Sequence, residues 1–242
     1  MSRTLTVRLL VKRAVTLLKK EGLVQLLRRL LSFALYLSRR WFHSRTVYLY
    51  EHTLVARDRS DFLPRLESWE LRVMTSNVDA DRVAAEGFED YRETFVFAHR
   101  SLDAGAVAFC VYVGRELAHV GWLAVDARGK NVVDKFPFHV AFEQGQACTG
   151  GTYTMPKYRG KGLMPYGYYE RFEYLRARGF TSSRNSVAVD NISSQKAHAK
   201  FNPTIYGIGR YRKFLWWTRW HAEELPGGPA IGMPPAWPGS HT

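Results

Sequence analysis

Cysteine is nearly missing from this chain: 242 residues hold two, Cys110 and Cys148, each inside an apolar, strand-like run. That excludes a disulfide scaffold, and neither has a metal-ligand neighbour at usable spacing, so no metal is expected. Two reduced, buried thiols are the expectation, with a nucleophilic Cys148 as the alternative. Long hydrophobic runs are also missing from the N-terminal region. The longest uncharged stretch there, Leu30–Ser38, has nine residues, where a membrane-spanning helix needs about 20. The same shortness, and the lack of a small-residue cleavage site, argue against a cleavable signal; an organellar transit segment fits better. No internal repeat is present.

Acidic residues are scarce in one place only. The chain carries a net charge of +13, and residues 1–45 hold eleven Lys or Arg against the single acid Glu21, so +10 of it lies there. Leu23, Leu26, Leu27, Leu30, Ala34 and Leu37 fill the gaps at helical spacing, and Lys20-Glu21-Gly22 breaks the stretch in two. Residues 1–45 thus read as a basic amphipathic helical segment. It is expected either to rest on an anionic membrane surface, at the inner face of a cytoplasmic location, or to pack on the domain that follows. Nucleic acid is disfavoured as a partner, since the basic segment is leucine-rich rather than interleaved with aromatics or glycine. Residues 46–222 read as the functional domain. From 223 to 242, Pro226, Gly227, Gly228, Pro229, Pro234, Pro235, Pro238 and Gly239 make a tail without regular structure.

The informative stretch is Met155-Pro156-Lys157-Tyr158-Arg159-Gly160-Lys161-Gly162-Leu163. Ala147–Thr154 before it is small, β-branched and aromatic, a strand that Pro156 ends. After it Met164, Tyr168, Phe172 and Leu175 recur at helical spacing, with Pro165 in the first turn and Arg176, Arg178 and Gly179 at the end. A glycine turn at a helix N-terminus offers unpaired N–H groups and about half a positive charge. Gly160 and Gly162 let the backbone approach a pyrophosphate, and Lys157, Arg159 and Lys161 supply charge around it. Further on, Asn185–Val189 is a short strand, Asp190-Asn191 a cap, and Ile192–Phe201 a helix on which Ser194, His198 and Phe201 share a face.

In these two stretches the chain resembles the GNAT superfamily of acyl-CoA N-acyltransferases. Lys157-Tyr158-Arg159-Gly160-Lys161-Gly162 stands where that family has Gln/Arg-x-x-Gly-x-Gly/Ala. Asn191 to Asn202 stands where it often has Asn-x-x-Ser/Ala-x-x-x-Tyr-x-Lys-x-Gly-Phe. Three departures matter: Lys157 lacks the planar fork of arginine, Asn202 takes the place of a capping glycine, and His198 that of the tyrosine that often protonates the departing thiolate. The resemblance implies an α+β fold, a mixed and mostly antiparallel central sheet flanked by helices. It also implies acetyl-CoA or another acyl-CoA as co-substrate and a small-molecule amine as acceptor. Tyr153, Thr154, Met155, Lys157, Tyr158, Arg159, Gly160, Lys161, Gly162, Leu163, Asn191 and Ser194 would bind the co-substrate, with the oxyanion donor among Tyr153 to Met155. His198 would be the catalytic acid, acting through its protonated form, or else a histidine that only packs or hydrogen-bonds near the co-substrate.

Elsewhere, Arg45–Leu54 is expected as a strand-like bridge and Trp69–Thr75 as the family's first strand. Asp79–Phe88 is expected as a capped helix over the acceptor site. Phe95–His99, Ala106–Val113 and Leu117–Val125 read as strands, Asp126–Asn131 as a polar turn, and Thr204–Thr218 as a hairpin turning around Gly207 to Gly209. The aromatics Tyr206, Tyr211, Phe214, Trp216 and Trp217 belong to sheet core and edge, or form a wall for an apolar acyl chain. No motif marks the general base; Glu143, His119 and His139 are candidates by position.

Overall fold

A computed structural model describes residues 42–225. Most of the basic N-terminal segment and nearly all of the Pro/Gly-rich tail lie outside the described residues. The strands are β1 (Phe42–Thr53), β2 (Glu70–Met74), β3 (Val107–Val113), β4 (Glu116–Ala124), β5 (Gln146–Thr154), β6 (Ser182–Ala188), β7 (Thr204–Phe214) and β8 (Trp217–Glu224). The helices are α1 (Asn77–Ala85), α2 (Tyr91–Thr94), α3 (Ala98–Asp103), α4 (Ala127–Val133), α5 (Leu163–Arg176) and α6 (Ile192–Ala199). The strands form one sheet in the order β2-β3-β4-β5-β6-β1-β7-β8. It is mixed and mostly antiparallel, as the family resemblance implies: β5 and β6 run parallel, while β2 with β3, β3 with β4, β4 with β5 and β1 with β6 are antiparallel.

The α5 pattern works as the sequence suggests. Tyr168, Phe172 and Leu175 are buried with Phe109, Leu123 and Ala147 of the sheet, and with Phe62 and Phe201. Each large apolar side chain so buried contributes about 1.5–3 kcal/mol. Near the N-terminal end of α5, Leu163 and Tyr166 pack with Tyr158, Val111 and Ala118. The glycine turn is thereby anchored to the core on both sides. Asn202 does take the left-handed conformation expected of it, with φ of 46°.

Arg45–Leu54 is strand, as expected, through Thr53, and it lies inside the sheet, with Val47 facing Ala188 and Thr53 facing Ser182 across the β1–β6 ladder. Three local expectations are corrected. Phe95–His99 is not a strand. Its residues lead into α3, where Ala98, Ser101 and Leu102 are buried at helical spacing and the Ser101 hydroxyl donates to the Phe97 carbonyl at 2.9 Å. Five alternating residues were too few to separate the two periods. Asp126–Asn131 is not a turn but the start of α4. Asp126 caps it by accepting from the Gly129 N–H at 2.7 Å, and the stem of Lys130 is buried, which a reading by polarity misses.

The turn expected at Gly207 to Gly209 lies instead between β7 and β8, where Leu215 has φ of 54°. The glycines serve close packing: a Cβ on Gly207 would come within 2.8 Å of the Glu223 carbonyl oxygen, and one on Gly209 would overlap the Trp220 ring. Residues 46–210 and 220–225 belong to one compact unit, and 42–45 with 211–219 to a second. In the second, Phe214, Trp216 and Trp217 are exposed. Among the described residues no helix is long and apolar enough to cross a membrane.

Candidate active site

The site begins where two parallel strands separate. β5 and β6 pair only through Gln146–Ser182, Ala147–Ser183 and Cys148–Arg184. Just beyond, the Thr149 and Ser183 hydroxyls still meet at 3.0 Å. Then β5 bulges: Val120 faces Tyr153 and Trp122 faces Gly150, so Gly151 and Thr152 together oppose the single residue Gly121. Gly151 has φ of 53°, a conformation that favours glycine. The gap opens into a cavity of about 1530 Å³, lined on β5 by Gly150 to Thr154 and on β6 by Ser186 to Ala188.

The bulge rests on Arg171, a fully buried arginine of α5. Its Nη1 donates to the Trp122 carbonyl at 3.1 Å, the Gly150 carbonyl at 3.4 Å and the Thr152 hydroxyl at 3.3 Å, and its Nε donates to the Gly167 carbonyl at 2.8 Å. Burial lowers its pKa from the ordinary arginine value, with Tyr168 opposing. Gly121 makes the room, since a Cβ there would lie 2.6 Å from the guanidinium carbon.

Alternation along an antiparallel ladder then sorts the expected oxyanion donors. Met155 donates its N–H to the Ala118 carbonyl at 3.0 Å, and Tyr153 stands opposite Val120 two residues back in the same phase. Thr154, between them, turns its N–H the other way, to the side from which β6 has departed.

The glycine turn forms one end of the cavity. Gly160 and Gly162 have φ of 76° and 83°. No acceptor among the described residues takes the N–H groups of Gly160, Lys161, Gly162, Leu163 or Met164. The helix starts without a side-chain cap, leaving these donors for an anion. A pyrophosphate fits that cradle. The turn is braced from outside by a residue the sequence did not flag: Arg65 donates its N–H to the Lys161 carbonyl at 2.8 Å and its Nη2 to the Gly160 carbonyl at 2.8 Å. No local pattern links residues 65 and 160, so no sequence signal marks it.

Of the residues expected to bind co-substrate, Tyr153, Thr154, Tyr158, Arg159, Gly160, Gly162, Leu163, Asn191 and Ser194 line the cavity. Met155, Lys157 and Lys161 do not. Lys157 is paired with Glu116 at 2.6 Å, and the Tyr158 hydroxyl donates to the same carboxylate at 3.0 Å. Its charge therefore serves the turn's geometry. Asn191 caps α6 by accepting from the Ser194 N–H at 3.1 Å.

His198 lines the cavity but cannot act in the form expected. It is fully buried, with Nδ1 3.1 Å from His52 Nε2 and Nε2 3.3 Å from Asn185 Nδ2. Burial first, then His52 and Arg171, hold its pKa well below the ordinary histidine value. His198 is neutral at physiological pH, so the imidazolium acid is corrected to a neutral ring. Tyr168, missed as a site residue because its spacing marks it as core, lies edge-on to that ring at 4.4 Å and lines the same cavity. Burial raises its pKa while Arg171 and a hydrogen bond with Thr152 pull the other way, so it keeps its phenolic proton.

The positional base candidates fall outside. His119 is buried against the Thr154 hydroxyl at 2.8 Å, its pKa pushed down to about 3 by burial and Arg171. Glu143 and His139 are exposed and not on the lining, and none of the five β7–β8 aromatics is either. Cys148 is buried with its pKa raised by desolvation, which disfavours a thiolate. Among the described residues no group of three or more His, Cys, Asp or Glu is placed to hold a metal.

No family model and no curated protein matches the chain. Among solved structures it is similar to an acetyltransferase of the GNAT family from Colwellia psychrerythraea, at 16% identity and TM-score 0.43, covering 72% of this chain and 57% of that one. It is also similar to a GCN5-related N-acetyltransferase from Sphaerobacter thermophilus, at 13% and 0.44, covering 83% and 58%. A third is a functionally unknown conserved protein from Staphylococcus epidermidis, at 11% and 0.43, covering 74% and 64%. The chain thus spans less than two thirds of the length of each.

Gly162 has φ of 83° and its Cβ position faces Leu63, Pro64 and Arg65, so a side chain there strains the turn and shifts the cradle, and each charge-assisted hydrogen bond lost is worth about 1.5–3 kcal/mol. Gly162→Asp should weaken coenzyme A binding by about 10–100-fold in calorimetry, while thermal melting confirms that the variant is folded.

Proposed function

We propose that the chain is an acyl-CoA-dependent N-acyltransferase, transferring an acetyl group to the amine of a small molecule or envelope-sugar precursor. The observation that carries this reading is a single one. An unsatisfied anion cradle at the start of α5 and a gap between two parting parallel strands open into the same cavity. A diphosphate at the cradle would direct an extended thioester arm along β5. The Thr154 N–H there is left to bind it, because β6 no longer pairs with β5, while the Thr154 carbonyl is taken by Arg159 Nε at 3.2 Å.

In this reading Gly160 to Met164 hold the pyrophosphate and Arg159 and Lys196 add charge at the mouth. The Thr154 N–H stabilises the oxyanion as the thioester carbonyl is attacked, a role worth about 2.7–4 kcal/mol in comparable sites. Tyr168, protonated and on the cavity lining, is the hydroxyl assigned to the departing thiolate. His198 lies on the lining with His52 behind it, and both keep a neutral ring. Incubating the protein with acetyl-CoA and a panel of amines should release thiol in proportion to the amine acetylated. Binding of coenzyme A without thiol release for any amine would reduce the site to a binding module.

For residues 1–45 we propose peripheral contact with an anionic membrane, supported by their eleven basic residues and interleaved leucines. Each basic residue near such a surface contributes about 1 kcal/mol. Full-length protein should float with anionic vesicles and not with neutral ones, whereas equal flotation of a chain lacking 1–45 would count against anchoring.

A further inference from the structure

The cavity lining is strongly uneven in charge. Arg65, Arg100, Lys135, Arg159, Lys196 and Lys200 are on it, and Asp134 is the one carboxylate among the described lining residues. Cations in such number suit a polyanionic co-substrate. They repel the other reactant: an amine arrives as an ammonium, and must find one place where positive charge is accepted. Only Asp134 offers it.

Asp134 is also a built feature. It follows the last residue of α4 and is buried, 9% exposed. Its Oδ1 accepts the Phe136 N–H at 2.9 Å, and its Oδ2 accepts the hydroxyl of Ser186 at 2.6 Å. Ser186 stands on β6 two residues beyond its last pairing with β5, at the opening of the gap. The carboxyl is therefore fixed from two sides at the point where the strands separate. An acid buried this far without a salt bridge is expensive to keep charged. The Lys130 ammonium, four residues back, donates instead to the Phe136 carbonyl.

We propose that Asp134 is the general base, receiving one proton from the ammonium of the incoming acceptor; the assignment rests on the acyltransfer reading above. The neutral amine then attacks the thioester carbonyl carbon. As the C–N bond forms, the C–S bond breaks with its electron pair on sulfur. The nitrogen's second proton leaves with the thiolate as free thiol, and Asp134 returns the first to solvent. The acceptor class is thus a primary ammonium that reaches the gap from the α3–α4 side, where Phe97, Arg100 and Val132 form the rim.

The groups around the carboxyl tune it for that task. Burial raises its pKa from the ordinary aspartate value, while Ser186, the Phe136 N–H and Lys130 oppose. Cys148, Tyr168 and Tyr206, from β5, α5 and β7, also feel its charge, and all three stay protonated by burial. A carboxylate shifted upward is a better match for proton transfer near neutral pH than an ordinary one. The histidines are poorer: His52 is held near about 3 by burial, and His198 well below its ordinary value.

The test uses the full chain and Asp134→Asn, with acetyl-CoA and the primary alkylamine that best supports thiol release. Wild-type kcat/KM should rise with pH through a carboxylate limb above the ordinary aspartate range. The variant should lack that limb and lose about 10²–10⁴-fold near pH 7. Coenzyme A affinity should be unchanged, and Asp134→Glu should recover part of the rate. With hydroxylamine, already neutral at pH 7, the loss should be at least tenfold smaller. Equal losses with both acceptors in a folded variant, or a retained limb, would overturn the assignment and leave Asp134 a structural acid. If the wild type binds coenzyme A yet releases thiol with neither acceptor, the acyltransfer reading falls and the assignment with it.

Discussion

A buried guanidinium holds the cleft open. Arg171 sits under the bulge of β5 and, among the described residues, is met by carbonyls, the Thr152 hydroxyl and Tyr168, whose ring centroid lies 3.9 Å from its Cζ. Burying a cation without a carboxylate costs several kcal/mol, and hydrogen bonds to a charged group return about 1.5–3 kcal/mol each. The balance requires that all of them form together. Two of them, to the Gly150 carbonyl and the Thr152 hydroxyl, come from the bulge opposite Gly121, just past the point where β5 stops pairing with β6. The parting of the two parallel strands is thus tied to satisfying one buried charge. Gly121, Gly151 and Arg171 are a single device seen from three positions in the chain.

From this parting the two halves of the cavity follow. On one side the Thr154 N–H and the glycine turn face the cavity, a setting that suits an extended anionic ligand. On the other, β6 no longer needs Ser186 for its ladder with β5, and the hydroxyl is given to Asp134. The electrostatics divide the same way, with a field favourable to anions throughout and one carboxyl at the seam. The neutral pair His52 and His198 fits this division. A cationic histidine there would add to the positive charge of the cavity, and burial beside Arg171 prevents it.

Much of the fold was legible in the sequence, because its signals are local. The glycine turn, α5, the Asn191 cap and the left-handed Asn202 each depend on residues within one or two turns of chain. The errors have a common physical source. Gly207 and Gly209 read as a turn because glycine permits one, whereas here glycine admits Glu223 and Trp220 from another strand. Phe95–His99 and Asp126–Asn131 are helix entries too short for their period to show. In the site, Arg65, Asp134, Tyr168 and Arg171 were invisible for a related reason. Arg65 and Asp134 gain their roles from partners about 95 and 52 residues away, and Tyr168 and Arg171 carry a helix pattern that packing alone explains. His198, marked by the motif, is on the cavity lining, but its protonation depends on burial, which spacing does not encode.

The central claim is that one cleft, made by the parting of β5 and β6, receives an acyl-CoA with its diphosphate on the start of α5. Amide hydrogen exchange of the full chain, with and without coenzyme A, tests this most directly. The account predicts slowed exchange at the amides of residues 152–154 and 160–164, and along α6, with the β2–β3 edge unchanged. Binding of coenzyme A that leaves residues 160–164 unprotected would contradict it.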